Sequence, residues 1–245
     1  MVRNVDHESR RRQILTATIL KYIKDAEPVA SCDLTKEFDL SSATIRNIFS
    51  ELEELGYLTH PYTSGGRIPT DKGYRYYIDF LISQMELEFE EKLRIEEELN
   101  KGTEKLEDLL EETSEILSEI THNTGIVSFL EWQDRFFYRG ISYILDEPEF
   151  RSVEKMRLLI RALEERKNLL SLINQEIKEK VKVFIGKDLE SLGIEDCALV
   201  VTSYGLADTA RGRIAVLGPK RMRYQQVIPA IKYISEALTN ALGRF

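Results

Sequence analysis

Arg46 and Asn47 stand side by side in the run SSATIRNIFS, and they are the side chains best suited to reading DNA bases. An arginine can donate to guanine O6 and N7 together, and an asparagine can bond adenine N6 and N7 as a pair. Ala43 and Ser50 fall on the same side of a helix, where small or polar groups allow close approach to a groove. Ile45, Ile48, Leu52 and Leu55 recur at steps of three, four and three on the other side, a stripe that faces a core. Ser41 is expected to cap the start of this helix, with Ser42 as the alternative, and Gly56 to close it in a left-handed conformation. The stripe alone fits an ordinary amphipathic helix with its polar face in water equally well. What surrounds it has to decide.

Upstream, residues 9 to 25 place Leu15, Ile19 and Tyr22 on one stripe, and Pro28 stops that helix. Ser31 is expected to cap a short second helix, CDLTKEF, with Asp39-Leu40 as the turn. Downstream, Tyr57 to His60 is expected to pair with Arg67-Ile68 across residues 61–66. Gly65 and Gly66 there permit the positive φ of a tight tip and let the backbone approach a phosphate. Arg67 beside that tip is expected to reach the minor groove or a phosphate, a plain surface cation being the alternative. Lys72 and Arg75 could be phosphate contacts or part of a solvated helix face. Glu51, Glu53 and Glu54 would repel phosphates, so the C-terminal end of the helix should tilt away from DNA. Helix, turn, helix, strand, glycine turn, strand is the order of a winged helix-turn-helix. Residues 1–83 are therefore expected to form a reader of double-stranded DNA.

The composition is that of a globular protein: 42% apolar and 31% charged over 245 residues, enough for two domains. No stretch approaches the roughly 20 apolar residues that span a bilayer, and the N-terminus lacks a signal peptide's apolar centre. Cys32 and Cys197 match no ligand spacing and read as reduced thiols of a cytoplasmic protein. His7, His60 and His122 are isolated, so no metal site is expected. Ser203-Tyr204-Gly205 is no nucleophile elbow, and the single glycines nearby make no phosphate loop. Neither an enzyme nor a cofactor is expected. The net charge of -8 argues mildly against nucleic acid, but residues 1–80 hold eleven basic against twelve acidic side chains, a balance of only -1. The remaining -7 lies outside the reader, whose non-specific affinity should be weak.

The run PVASCDLTKEFDLSSATIRNIFSELEELGYL resembles the HrcA family of bacterial heat-inducible transcription repressors, around the pattern S-x-A-T-I-R-N and L-E-x-x-G-x-L. TSGGRIPTDKGYRYYIDFL follows where the family has T-S-A-G-R-I-P-(S/T)-D-x-G-Y-R, with Gly65 in place of alanine and Tyr62 where histidine is frequent. The resemblance implies that Ser41, Ser42, Thr44, Arg46 and Asn47 belong to the recognition helix and Arg67 to the wing. It also implies repression of chaperone genes from an inverted-repeat operator, and the chaperonin GroEL as a partner.

EPEFRSVEKMRLLIRALEERKNLLSLI, VKVFIG and CALVVTSYGLADTARGRIAVLGPKRMRY resemble the family's GAF-like C-terminal region. The residues agree with an α+β domain at 121–245: Val181–Ile185, Ala198–Ser203 and Arg213–Leu217 are β-rich runs bounded by glycines, and 225–242 reads as a closing helix. The family's inserted dimerising domain is missing or cut to a stub, because Thr124–Phe129 leads almost directly to Phe136–Ile141. Residues 84–120 are expected to form a connecting helix. Leu99, Leu106, Thr113 and Ile120 lie seven apart, with Leu109 and Ile116 between them, so this stripe could be a coiled coil between the subunits of a homodimer. It could equally pack on its own GAF-like domain. A metabolite-sensing regulator, with a ligand pocket in that domain, is the alternative function. Lys220, Arg221 and Arg223 could touch DNA or an anionic ligand, a solvated turn or inter-domain salt bridges being the alternative.

Overall fold

A computed structural model of the chain describes residues 2–62, 65–82, 86–99, 105–132, 135–175, 177, 180–205 and 211–243. They form an α+β protein of two compact units, Met1–Phe80 and Leu81–Phe245. The first unit runs α1 (Val2–Asp25), a 3-10 turn at Ser31–Leu34, α2 (Thr35–Phe38), α3 (Ser42–Glu54), β1 (Leu58–Thr59), β2 (Ile68–Pro69) and α4 (Asp71–Ile82). Its core gathers Ile14, Leu15 and Ile19 of α1, Ile45, Ile48, Phe49 and Leu52 of α3, and Tyr74, Tyr77 and Ile78 of α4. Two expectations need correction. Leu55 is 41% exposed because it has already left the helix as its C-cap, and Phe49 takes its place in the stripe. Ser31 caps nothing: Asp33 Oδ2 accepts from the Ala30 amide at 2.9 Å instead.

β1 and β2 pair antiparallel, Leu58 with Pro69 and Thr59 with Ile68. Arg67 pairs on its other side with Val29, through N–H···O bonds of 2.8 and 2.9 Å. Thr63 and Ser64, within the expected tip, lie outside the described residues. Neither Gly65 nor Gly66 has a positive φ. Gly66 is needed for space rather than for conformation, since a Cβ there would lie 2.6 Å from the carbonyl carbon and oxygen of Val29.

The second unit holds α5 (Phe89–Leu99), α6 (Leu106–Thr121), β3 (Thr124–Phe129), β4 (Phe136–Arg139), α7 (Ile141–Leu145), α8 (Val153–Glu164), α9 (Arg166–Ile173), β5 (Lys182–Ile185), β6 (Cys197–Tyr204), β7 (Gly212–Pro219) and α10 (Tyr224–Leu242). The five strands make one antiparallel sheet in the order β4-β3-β7-β6-β5. Successive side chains of a strand point to opposite faces, so a strand buried on both is apolar throughout, as in LVV of β6 and IAVL of β7. Helices α6 and α10 cover one face. The other packs Ile126, Leu199, Val201, Ala215 and Leu217 against Leu159, Leu163, Leu169 and Ile173 of α8 and α9.

The stretch expected as one connecting helix is two, α5 and α6, and both belong to the second unit. Leu99, Leu109, Thr113, Ile116 and Ile120 are buried inside the chain itself. The apolar stripe is therefore spent on its own domain and is not a seam between subunits. Small groups allow the fit: a Cβ at Gly125 would strike the Ser114 carbonyl, and one at Gly140 the Ser118 hydroxyl. Gly102, inside the same stretch, lies outside the described residues.

Candidate nucleic-acid interface

Helix α3 is fixed at both ends. At its start the Ser41 hydroxyl accepts from the Thr44 amide at 3.1 Å, satisfying one of the donors that the first turn leaves open. The Ser41 and Thr44 hydroxyls also meet at 2.8 Å. Ser42 Oγ lies 2.7 Å from Ser31 Oγ, which ties the helix to the preceding turn. At the far end Gly56, at φ +75°, donates to Glu53 O and Tyr57 donates to Leu52 O, the paired bonds of a Schellman motif. Lys72 Nζ bonds the Leu55 carbonyl at 2.8 Å and sits 4.6 Å from the centre of the Tyr57 ring. A cation there also meets the negative end of the helix dipole. Thr70 Oγ1 donates to the Gly56 and Tyr57 carbonyls and accepts from the Gly73 amide, so one hydroxyl joins the end of α3 to the start of α4. Gly73 has to be glycine, because a Cβ would overlap the Tyr57 carbonyl oxygen.

Between these anchors Arg46 and Asn47 are exposed, and among the described residues neither side chain has a hydrogen bond or ion pair. Ala43 is exposed beside them, and the Ser50 hydroxyl turns back to the Arg46 carbonyl at 3.1 Å. Of the expected contact residues, then, Ala43, Arg46 and Asn47 present free surface, while the hydroxyls of Ser41, Ser42, Thr44 and Ser50 are already used within the unit.

Arg67 departs from expectation. Its guanidinium turns inward, with Nη2 3.0 Å from Glu53 Oε2 and Nη1 donating to the Gly65 carbonyl at 3.3 Å. The other Glu53 oxygen holds His60 Nδ1. Glu53 was expected only to repel phosphate. It binds wing to helix, and Arg67 is a brace rather than an outstretched cation. Glu51 is similarly engaged, 3.6 Å from His7 Nε2 and 3.8 Å from Arg11 Nη1 of α1. Two of the three acidic groups thus face their own counter-charges. Lys72 is likewise committed to α3 and is not a free phosphate contact. Among the described wing residues Tyr62 is well exposed, 74% accessible. Sequence spacing gave no sign of the roles of Glu53 and Lys72, whose partners lie across turns. Thr70 followed by Asp71 is the helix-start signal that could have found the Thr70 cap.

An N-capped recognition helix, a short wing sheet and an exposed Arg-Asn pair define a winged-helix DNA-binding protein. Residues 7–79 match the model of the winged helix-turn-helix DNA-binding domain of the HrcA transcription repressor, and residues 128–228 match the HrcA C-terminal domain. The chain belongs to the HrcA family of transcription repressors. It is similar to the heat-inducible transcription repressor HrcA of Desulforudis audaxviator, 29% identical over 338 residues, covering 97% of this chain and 98% of that one. The HrcA of Symbiobacterium thermophilum is 26% identical, with 95% and 98% covered. A span of 338 positions against 245 residues leaves at least 93 without a counterpart here, in keeping with a missing insertion. A crystal structure described as that of a hypothetical protein shares the fold, with a TM-score of 0.78, 19% identity and 96% and 98% of the two chains covered.

Proposed function

We propose that this protein represses heat-shock chaperone genes in the cytoplasm by seating α3 in the major groove of an inverted-repeat operator, as a two-fold homodimer. The observation that carries the reading is the free Arg46-Asn47 pair on a helix tied at both ends. Among the described residues those side chains have no hydrogen bond or ion pair, and they suit a guanine and an adenine edge. A single reader spans few base pairs, and a two-fold dimer on an inverted repeat doubles the sequence read. With the 99–120 stripe buried intramolecularly, the dimer contact falls elsewhere on the second unit. GroEL, implied by family resemblance, would act on the folding of the whole chain rather than at the reader.

The test is titration of wild type, Arg46→Ala and Asn47→Ala against the protein's own upstream DNA and a scrambled duplex. Each variant is expected to lose roughly 1–3 kcal/mol of specific binding with unchanged unfolding. Equal operator affinity of variants and wild type would remove the assignment. Sedimentation on the same DNA checks for two chains per repeat, and footprinting with and without GroEL checks that partner.

A further inference from the structure

Two arginines of the second unit are nearly buried, and they differ in one respect. Arg221 is held by Glu149, with Nε to Oε1 at 2.5 Å and Nη2 to Oε2 at 3.1 Å, and by Glu147. Arg213 is 7% exposed and, among the described residues, has no ion pair. Its Nε has no hydrogen-bond partner, and Nη1 reaches only the adjacent Gly212 carbonyl at 3.3 Å. Burial without a counter-charge pulls its pKa below the ordinary guanidinium value, yet an arginine stays charged in proteins. A buried cation of this kind calls for an anion.

The sheet register shows what surrounds it. Ser128 of β3 and Ser203 of β6 are the direct cross-strand partners of Arg213. Alternation along β7 puts all three on the face that carries Ala215 and Leu217. Ser128 Oγ lies 3.5 Å from Asn174 Oδ1 at the end of α9. Lys182 is on the same face, one register row inward, with Nζ 3.0 Å from Gln175 Oε1. Ser203 and Asn174 are half-buried, so the corner opens to solvent on their side. It therefore holds a guanidinium whose Nε is unused, beside two hydroxyls and, through Ser128, a carboxamide.

We propose that this corner binds the carboxylate of a small organic acid, and that the second unit is a receptor for such a ligand. One guanidinium without a counter-charge among the described residues matches one negative charge, and the side of it carrying Nε offers two parallel N–H groups to two carboxylate oxygens. Phe136 of β4, the cross-strand partner of Ser128, is buried beside it and makes that side of the corner apolar. The inference is independent of the DNA-reading surface.

The test is thermal unfolding of the full chain in acetate, succinate and benzoate, against sodium chloride and inorganic phosphate at equal ionic strength. A carboxylate bound only by the native state raises the midpoint, by about 5 °C or more at a hundredfold excess over its Kd. Arg213→Gln should abolish that rise. Ser203→Ala, which keeps the charge and should fold in any case, should weaken apparent affinity several-fold. Three results would overturn the proposal: carboxylates no better than chloride, phosphate equal to or better than carboxylates, or a wild-type response in both variants.

Discussion

Replacing Gly66 by alanine tests the geometry of the wing directly. An added Cβ would lie 2.6 Å from the Val29 carbonyl group and 2.7 Å from the Pro28 carbonyl carbon, backbone atoms that no rotamer change can move. To make room the strand has to leave Val29, and the two N–H···O bonds between Val29 and Arg67 go with it. Each such bond contributes about 0.5–1.5 kcal/mol net, and overpacking costs roughly 1–3 kcal/mol more. The expected local loss is roughly 2–6 kcal/mol. At 1.4 kcal/mol per tenfold, this means exchange of the Val29 and Arg67 amides at least about thirtyfold faster. Gly65→Ala is the control: its Cβ would meet Tyr62 O at 3.3 Å, which a shift of a few tenths of an ångström relieves. Hydrogen exchange on full-length wild type and both variants gives the comparison. Wild-type protection in Gly66→Ala, or equal losses in the two variants, would refute the close-approach argument.

Arg67→Ala is expected to lower stability by roughly 1–3 kcal/mol through loss of the Glu53 pair, while the slope of log affinity against log salt stays at the wild-type value. A slope shallower by about one would show that Arg67 neutralises a phosphate. Leu109→Ala, at a buried stripe position of α6, should cost about 2–5 kcal/mol without changing the sedimentation coefficient of the folded protein; dissociation of an oligomer instead would restore the inter-subunit coiled coil. A thiol reagent should label Cys32 alone in the native protein, because Cys32 is exposed while Cys197 is buried and burial pushes its thiol pKa up. Labelling of both before unfolding would contradict the packing of β6.

Helix α3, its Ser41 cap, the Gly56 stop and the three β-rich runs of the second unit were legible because each rests on local periodicity or on a residue with one special conformation. The inward turn of Arg67 was not. Its partner Glu53 lies fourteen residues back and across the wing, and a sequence shows charge without showing direction. The 99–120 stripe was legible as apolar but not as to what it covers, since a heptad pattern looks the same from a partner chain and from a sheet. Gly66 was legible as necessary for the wrong reason. A tip glycine suggests positive φ, whereas here the neighbouring strand simply leaves no room for a side chain. Arg213 was hidden inside a strand, where one polar residue in an apolar run gives no hint of its partners.

Glu53 holds His60 with one oxygen and Arg67 with the other, so a single carboxylate fastens the wing to the helix that carries Arg46 and Asn47. Melting of either part breaks a contact that helps to hold the other. The described part of the wing and α3 are then held together before a duplex arrives, and ordering that precedes binding favours tight association. On warming, the same link makes fraying of the wing and loosening of the recognition helix one event. Operator release should therefore follow temperature as one steep sigmoid, where two independent parts would give a gradual decline.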